Sequence, residues 1–251
     1  MDRRSSFVSK PPCQSSSGSV GLLRSGRGSA APVKQPIRRT ALWQMHRRLN
    51  AEMVDYCGWS LPLRYGGQEM EQVQLRAGLA DWSCLAKFDL KGSHLTAAPT
   101  LAGPSRCWHL GGAHYLITCD PAEREIIQEE LRGIETANAS GPSTIYCTDV
   151  TSVMADLLIA GPDGRGILGK LTSANLSDSA LPDGGCVQSG VAHVRSIILR
   201  WDIGNLPAFH LLVGREYSEG VWDALLHAGH EFSLAPFGLQ TYQALQSGAA
   251  V

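Results

Sequence analysis

The chain has 251 residues, 43% of them hydrophobic, with 22 lysines and arginines against 23 aspartates and glutamates and a formal net charge of −1. That is enough apolar material for one large core or two small ones. The balanced net charge does not favour nucleic acid, which asks for a basic face, and no apolar run approaches the ~18 residues of a membrane-spanning helix.

The first 39 residues are rich in Ser, Gly, Pro and Arg, and up to residue 51 the one acid, Asp2, faces ten lysines and arginines. Too little apolar surface is available there to offset chain entropy, so residues 1–39 are predicted to be a disordered extension or an Arg- and Ser-rich mitochondrial targeting segment. Pro11-Pro12 would interrupt the amphipathic helix that targeting needs. Seven cysteines (Cys13, Cys57, Cys84, Cys107, Cys119, Cys147 and Cys186) form no C-x-x-C pair. That is the pattern of reduced thiols in an intracellular compartment, the mitochondrial matrix if the source is eukaryotic and the cytoplasm otherwise.

Thr40 is a predicted N-cap, with Leu42, Met45 and Leu49 at helical spacing behind it. Tyr56 to Tyr65 reads as aromatic and turn-like; Met70, Val73 and Ala77 mark a second short helix. Lys87–Lys91 alternates as a half-buried strand does, His114–Cys119 is a further strand, and Asp120-Pro121-Ala122-Glu123 opens a helix. Ser140-Gly141-Pro142 marks a break. Beyond it, strands are expected at Met154–Ala160, Ala192–Trp201 and Ala208–Val213, and helices around Ile167, Leu168 and Leu171 and around Tyr217, Val221, Leu225 and Ala228. Strands and helices mix without regular βαβ alternation. The expected class is α+β with mixed and antiparallel sheets, in two domains spanning 40–147 and 148–251.

Short motifs add little chemistry. Gly164-Arg165-Gly166-Ile167-Leu168-Gly169 has the G-x-G-x-x-G spacing, but Pro162 already occupies the first helical turn, which puts the glycines inside the helix rather than before a pyrophosphate. His227 and His230 lie three apart at a helix end with no third ligand at a recognisable spacing, so no metal site is expected.

The stretch Thr40–His46 followed by Met53-Val54-Asp55-Tyr56-Cys57-Gly58-Trp59-Ser60-Leu61-Pro62-Leu63-Arg64-Tyr65 resembles the start of the glycine-cleavage T-proteins, the folate-dependent aminomethyltransferases. Arg76–Cys84, Leu158–Pro162, Leu168–Thr172 and Trp222–Gly229 are similar to later segments of that family, in the same order. The resemblance implies the family's first two domains, a tetrahydrofolate cleft between them, and an aminomethyl group delivered by a lipoyl protein. It places the remnant of such a cleft at Trp59, Tyr65, Arg200, His210 and Tyr242. The family's chemistry is nonetheless depleted. No acid occurs from Lys91 to Cys119, where the resemblance calls for the catalytic aspartate; Leu206 stands where an acid would hold the pterin; Gln246 replaces the arginine that meets the glutamate tail. The chain also ends short of the family's third domain.

These departures imply no catalytic residue and no required cofactor, with tetrahydrofolate as the one ligand the resemblance suggests. The expected role is an accessory or regulatory subunit bound to a protein partner such as an oxidase, a demethylase or a glycine-cleavage component. The small subunit of heterotetrameric sarcosine oxidases is similar in these respects. The alternative is an active tetrahydrofolate-dependent aminomethyltransferase with a non-standard or partner-completed site, using Arg200, His210 and Tyr242. Either way, uncovered apolar surface is expected around Ser93–Arg106 and Gln240–Val251.

Overall fold

The computed structural model describes residues 38–93, 95, 98–138 and 144–248. The predicted extension lies outside these, except Arg38–Arg39, which form a short strand (β1), and so does the break at Ser140–Pro142.

Helix α1 (Trp43–Arg48) turns Leu42 and His46 inward. Thr40 does not cap it: the helix starts after Leu42 with no side-chain cap. The aromatic segment read as a turn is instead a hairpin of β2 (Glu52–Tyr56) and β3 (Trp59–Arg64). Its two-residue turn places Cys57 at φ 49° and Gly58 at φ 79°, the left-handed pair that matches strand twist, and Asp55 Oδ1 accepts from the Gly58 N–H at 2.9 Å. β3 is central, with β1 parallel to it on the far side, but β1 reaches only Trp59 and Ser60. Pro62 therefore leaves no ladder bond unmade.

The largest sheet has six strands in the order β10 (Cys186–Val191), β11 (Val194–Arg200), β12 (Ala208–Gly214), β9 (Met154–Ala160), β4 (Gly78–Asp81) and β13 (Ala235–Pro236). All neighbours are antiparallel except β4 and β13. Both faces are covered. Leu157, Ile159, Phe209 and Leu211 point to helices α4 (Gly164–Gly169) and α5 (Ser218–Gly229); Leu158, Ala160 and Ala208 point to the hairpin and to α6 (Leu239–Ser247). Burial on both faces explains why β9 reads as a nearly continuous apolar run. Gly164–Gly169 form α4 itself: Gly164 is its first residue, Asp163 precedes it as the cap, and Pro162 lies before the cap and not in the first helical turn as expected.

The second sheet is antiparallel, in the order β6 (Arg106–Gly111), β7 (His114–Cys119), β5 (Ala86–Gly92) and β8 (Ile145–Asp149), and packs on α3 (Arg124–Asn138) through Ile127 and Leu131. The two sheets pack on each other through Trp108 and Leu116 against Leu199 and Leu212, and at their edges Gln188 Nε2 donates to the Leu110 carbonyl at 2.8 Å.

The α+β expectation holds, and residues 37–251 form one compact unit. The division expected at 147/148 is not a seam between sheets. β8 runs across it, and β4, from the earlier segment, joins β9 through the register Gly78↔Ala160. Ala192 and His193 are not strand but the hairpin turn between β10 and β11, at φ 49° and 66°. The expected apolar exposure is also absent among the described residues: Leu95 and Leu101 pack on the α3 cluster, Glu130 accepts the N–H groups of Ala102 and Gly103 at 2.8 and 3.1 Å, and Tyr242 and Leu245 turn inward. Among the described residues no helix is long and apolar enough to cross a membrane.

One carboxylate ties three elements together. Glu69, opening α2 (Glu69–Leu75), accepts from the Tyr65 N–H at 2.5 Å, the Gly238 N–H at 2.9 Å and the Thr241 hydroxyl at 2.8 Å. Glu69→Ala strands all three donors and is expected to cost about 1.5–3 kcal/mol in urea unfolding. A change under ~0.5 kcal/mol would mean water replaces the carboxylate without loss.

Candidate functional site

The five residues expected to mark a cleft separate into three settings. Trp59, at the start of β3, and Tyr242, on α6, enter one apolar cluster on the hairpin side of the large sheet. Tyr242 lies against Trp82, ring centroids 4.0 Å apart, and the Tyr56 ring is 6.5 Å from that of Trp82. These rings fill the space beneath the hairpin. Burial pushes the Tyr242 and Tyr56 phenols well above their ordinary range, and Asp120 adds to both shifts.

Arg200 stands apart. It is buried at the end of β11, bonds Asp202 through two nitrogens at 3.0 and 2.9 Å, pairs with Asp178 and donates to the Leu181 carbonyl at 3.0 Å. Its bonds to Asp202 hold it further into the charged form. These bonds make the guanidinium a clamp between β11 and the loop before β10.

Tyr65 and His210 belong to a buried polar brace. The Tyr65 hydroxyl meets His46 Nδ1 at 2.7 Å, and His46 Nε2 meets Asp81 Oδ2 at 2.9 Å. A carboxylate only accepts, so Nε2 carries a proton and donates to it. Asp81 Oδ1 accepts from the Ser83 hydroxyl at 2.5 Å and the Ser83 N–H at 3.1 Å. The Ser83 oxygen in turn accepts the Asp156 N–H at 3.1 Å, and the Asp156 carboxylate is bonded by His210 Nδ1 at 2.9 Å. The side chains of His46, Asp81 and Asp156 have no exposure, and His210 has 1%. Because the link from Ser83 to Asp156 runs through a backbone amide, the series is a brace between strands and not a proton path. Beside it Lys87, wholly buried, donates to the carbonyls of Ser83 at 3.1 Å and Leu85 at 2.8 Å. Burial lowers its pKa, while Asp156, Cys84 and Asp81 favour the charge.

A general acid or base needs a carboxylate that can reach a substrate proton. Asp81 and Asp156 are sealed and already bonded. Asp120, which follows the acid-free segment, sits beside the aromatic cluster, but Oδ1 caps the turn at Ala122 (2.9 Å) and Oδ2 accepts from Tyr56 (2.8 Å). Open depressions lie elsewhere. One of about 940 Å³ runs between Lys170 and Tyr217, and an apolar one of about 560 Å³ is lined by Leu110, Val150, Met154, Val194 and Ile197. None of the five expected residues lines either. His227 and His230 flank the end of α5, and among the described residues no three His, Cys, Asp or Glu side chains converge as a metal site would.

Sequence reading missed His46, Asp81, Ser83, Lys87 and Asp156 as a unit. The available signals were His46 in register with Leu42 on α1, and charged residues inside otherwise apolar strands.

Residues 105–249 match the family model described as the GCVT N-terminal domain. The aminomethyltransferase of Streptomyces coelicolor is 31% identical over 243 residues, covering 86% of this chain and 63% of the relative. That of Streptomyces avermitilis is 30% identical over 238 residues, covering 85% and 63%. The chain thus spans about 63% of the length of these curated relatives. Among solved structures, the glycine cleavage system aminomethyltransferase T of Bartonella henselae superposes with a TM-score of 0.64 at 16% identity, over 86% of this chain and 64% of that one. A chain of the heterotetrameric sarcosine oxidase of Corynebacterium sp. U-96 gives 0.51 at 16% identity, over 78% and 96%. At that identity the two structures show a shared fold.

Proposed function

The chain belongs to the family of the GCVT N-terminal domain, and from that premise we propose that it is an aminomethyltransferase-like protein without transferase activity of its own, working as an accessory or regulatory subunit. The observation that carries this reading is the filled interior. The rings of Tyr242 and Trp82 meet at 4.0 Å where the family resemblance puts a folate cleft, and the acids nearest the cluster are committed to structural bonds. Leu206 and Gln246 support it, since neither side chain carries the charge the resemblance calls for. The partner is an oxidase, a demethylase or a glycine-cleavage component, a choice supported by the fold shared with a chain of a heterotetrameric oxidase.

The test supplies the pure chain with tetrahydrofolate and a lipoyl protein bearing an aminomethyl group. General acid–base assistance contributes ~10²–10⁴ in rate, so turnover is expected at the background level, and calorimetry is expected to show no heat of tetrahydrofolate binding. Turnover that Asp120→Asn abolishes in a folded chain would overturn the proposal and establish an active transferase with a non-standard site.

A further inference from the structure

Most arginines on the sheets and later helices have carboxylate partners: Arg64 has Glu52 at 2.7 Å, Arg76 has Asp163 at 3.2 Å, and Arg124 and Arg200 have Asp149 and Asp178, while among the described residues Arg195 and Arg215 have none. Around α1 the pattern stops. Arg38, Arg39, Arg47 and Arg48 are all exposed, and among the described residues none has a carboxylate within 4.0 Å. No acid occurs between Arg38 and Ala51.

These charges are gathered rather than scattered. The Arg39 guanidinium lies 4.0 Å from the centre of the Trp43 indole and that of Arg47 lies 5.0 Å from it. The indole is fixed by its own N–H, which donates to the Ser60 hydroxyl at 3.0 Å. Arg38 lies over Trp59 at 5.8 Å, and Arg215 Nη2 bonds the Arg39 carbonyl at 3.1 Å, adding a further cation to the rim. Two guanidiniums on one indole repel each other. Ring contact offsets part of that repulsion, and among the described residues no carboxylate meets either guanidinium. A carboxylate fits the guanidinium fork and removes the repulsion.

We propose that the surface of Arg39, Trp43 and Arg47, flanked by Arg38 and Arg48, is a docking site for an acidic segment of a partner protein. This rests on the reading of the chain as a subunit and gives its partner a chemistry. A protein segment fits better than a long polyanion. Residues 38–251 carry 16 lysines and arginines against 22 aspartates and glutamates, so the surroundings repel an extended anion and the attraction is local. The partly exposed indole also supplies apolar contact that suits a side chain between two acids.

The full chain is titrated with a fluorescein-labelled peptide of alternating glutamate and leucine, reading anisotropy at low salt and at ~0.15 M salt. Binding is expected to weaken with salt and to fall at least ~10-fold in the Arg39→Glu/Arg47→Glu double variant. Arg132→Glu, an exposed change on α3, serves as the control and is expected to leave the affinity as it was. All the changed side chains are exposed, and circular dichroism checks the fold. Equal affinity in wild type and double variant, or no peptide binding, overturns the proposal. So does tighter binding of an oligonucleotide or of phosphatidylserine vesicles through the same arginines. The two readings fail separately: a chain that transfers aminomethyl groups yet loses the peptide on charge reversal refutes the accessory role and keeps the docking site, whereas a chain silent in both assays refutes the docking site alone.

Discussion

Asp81→Ala is expected to lower the unfolding free energy by about 3–5 kcal/mol, the cost of breaking a buried charged network by removing one partner. Asp81 sits at the end of β4 with no side-chain exposure and receives bonds from His46 Nε2, the Ser83 hydroxyl and the Ser83 N–H. Alanine leaves all three donors buried without an acceptor. It also frees Ser83, whose oxygen accepts the Asp156 N–H, so the loss spreads from β4 to β9. Folded domains hold only about 5–15 kcal/mol in total, so the variant will sit near its folding threshold. Asp81→Asn keeps the shape and one acceptor, and should fall between the two.

The same carboxylate carries a pH signature. Burial opposes its ionisation, but the bonds from His46 and Ser83 outweigh that, and its pKa in the folded protein lies below the ordinary value. A depressed carboxyl contributes stability that is full above the unfolded pKa of ~3.9 and is lost as pH falls through the folded one. Wild-type stability should therefore drop below about pH 4, and Asp81→Ala should show a shallower drop. Equal acid slopes for the two proteins, or a loss under ~1 kcal/mol at neutral pH, would show that the brace does not hold the strands together.

Gly161→Ala should cost more than ~3 kcal/mol in thermal or urea unfolding, through backbone strain and overlap at once. Gly161 lies between β9 and α4 at φ 118°, a conformation L side chains rarely adopt. A Cβ there would stand 2.5 Å from the Val73 carbonyl oxygen, 2.6 Å from that of Arg76 and 2.9 Å from the Ala77 Cα. These are backbone atoms at the end of α2 and the approach to β4, so no rotamer change relieves the contact. Gly133→Ala is the informative opposite. Gly133 lies inside α3 with nothing within 4 Å of an added Cβ, and helix propensity alone should raise stability by ~0.5–1 kcal/mol. If both glycine variants shift stability by the same amount, the close packing at Gly161 is not what limits it.

The sequence by itself determined the local chemistry. Asp120 followed by Pro121 fixes a capped turn, and the cap bond to Ala122 forms at 2.9 Å. The apolar stripe of Val221 and Leu225 fixes α5, and the apolar run at Met154–Ala160 fixes β9. The acid-free segment from Lys91 to Cys119 and the leucine at 206 are also plain in the sequence, and they bear directly on catalysis. Each of these rests on neighbours within a few residues, where sterics and hydrogen bonding leave few choices.

Only the tertiary structure decided which distant residues meet. The Cys57-Gly58 turn carries a weak local signal because a cysteine occupies the position where Asn or Asp is usual, so the hairpin was hidden among aromatics. The pairing of β4 with β9 joins residues about eighty positions apart, and it alone brings Ser83 to Asp156 and so aligns the His46 pair with the His210 pair. Tyr65, His210 and Arg200 were visible as polar residues in apolar surroundings, but their partners were not, since a hydrogen bond between strands depends on register and register is set by the packing of both sheet faces. The alternation around Lys87 marks a half-buried strand, and only the fold seals its ammonium against two carbonyls beside two carboxylates.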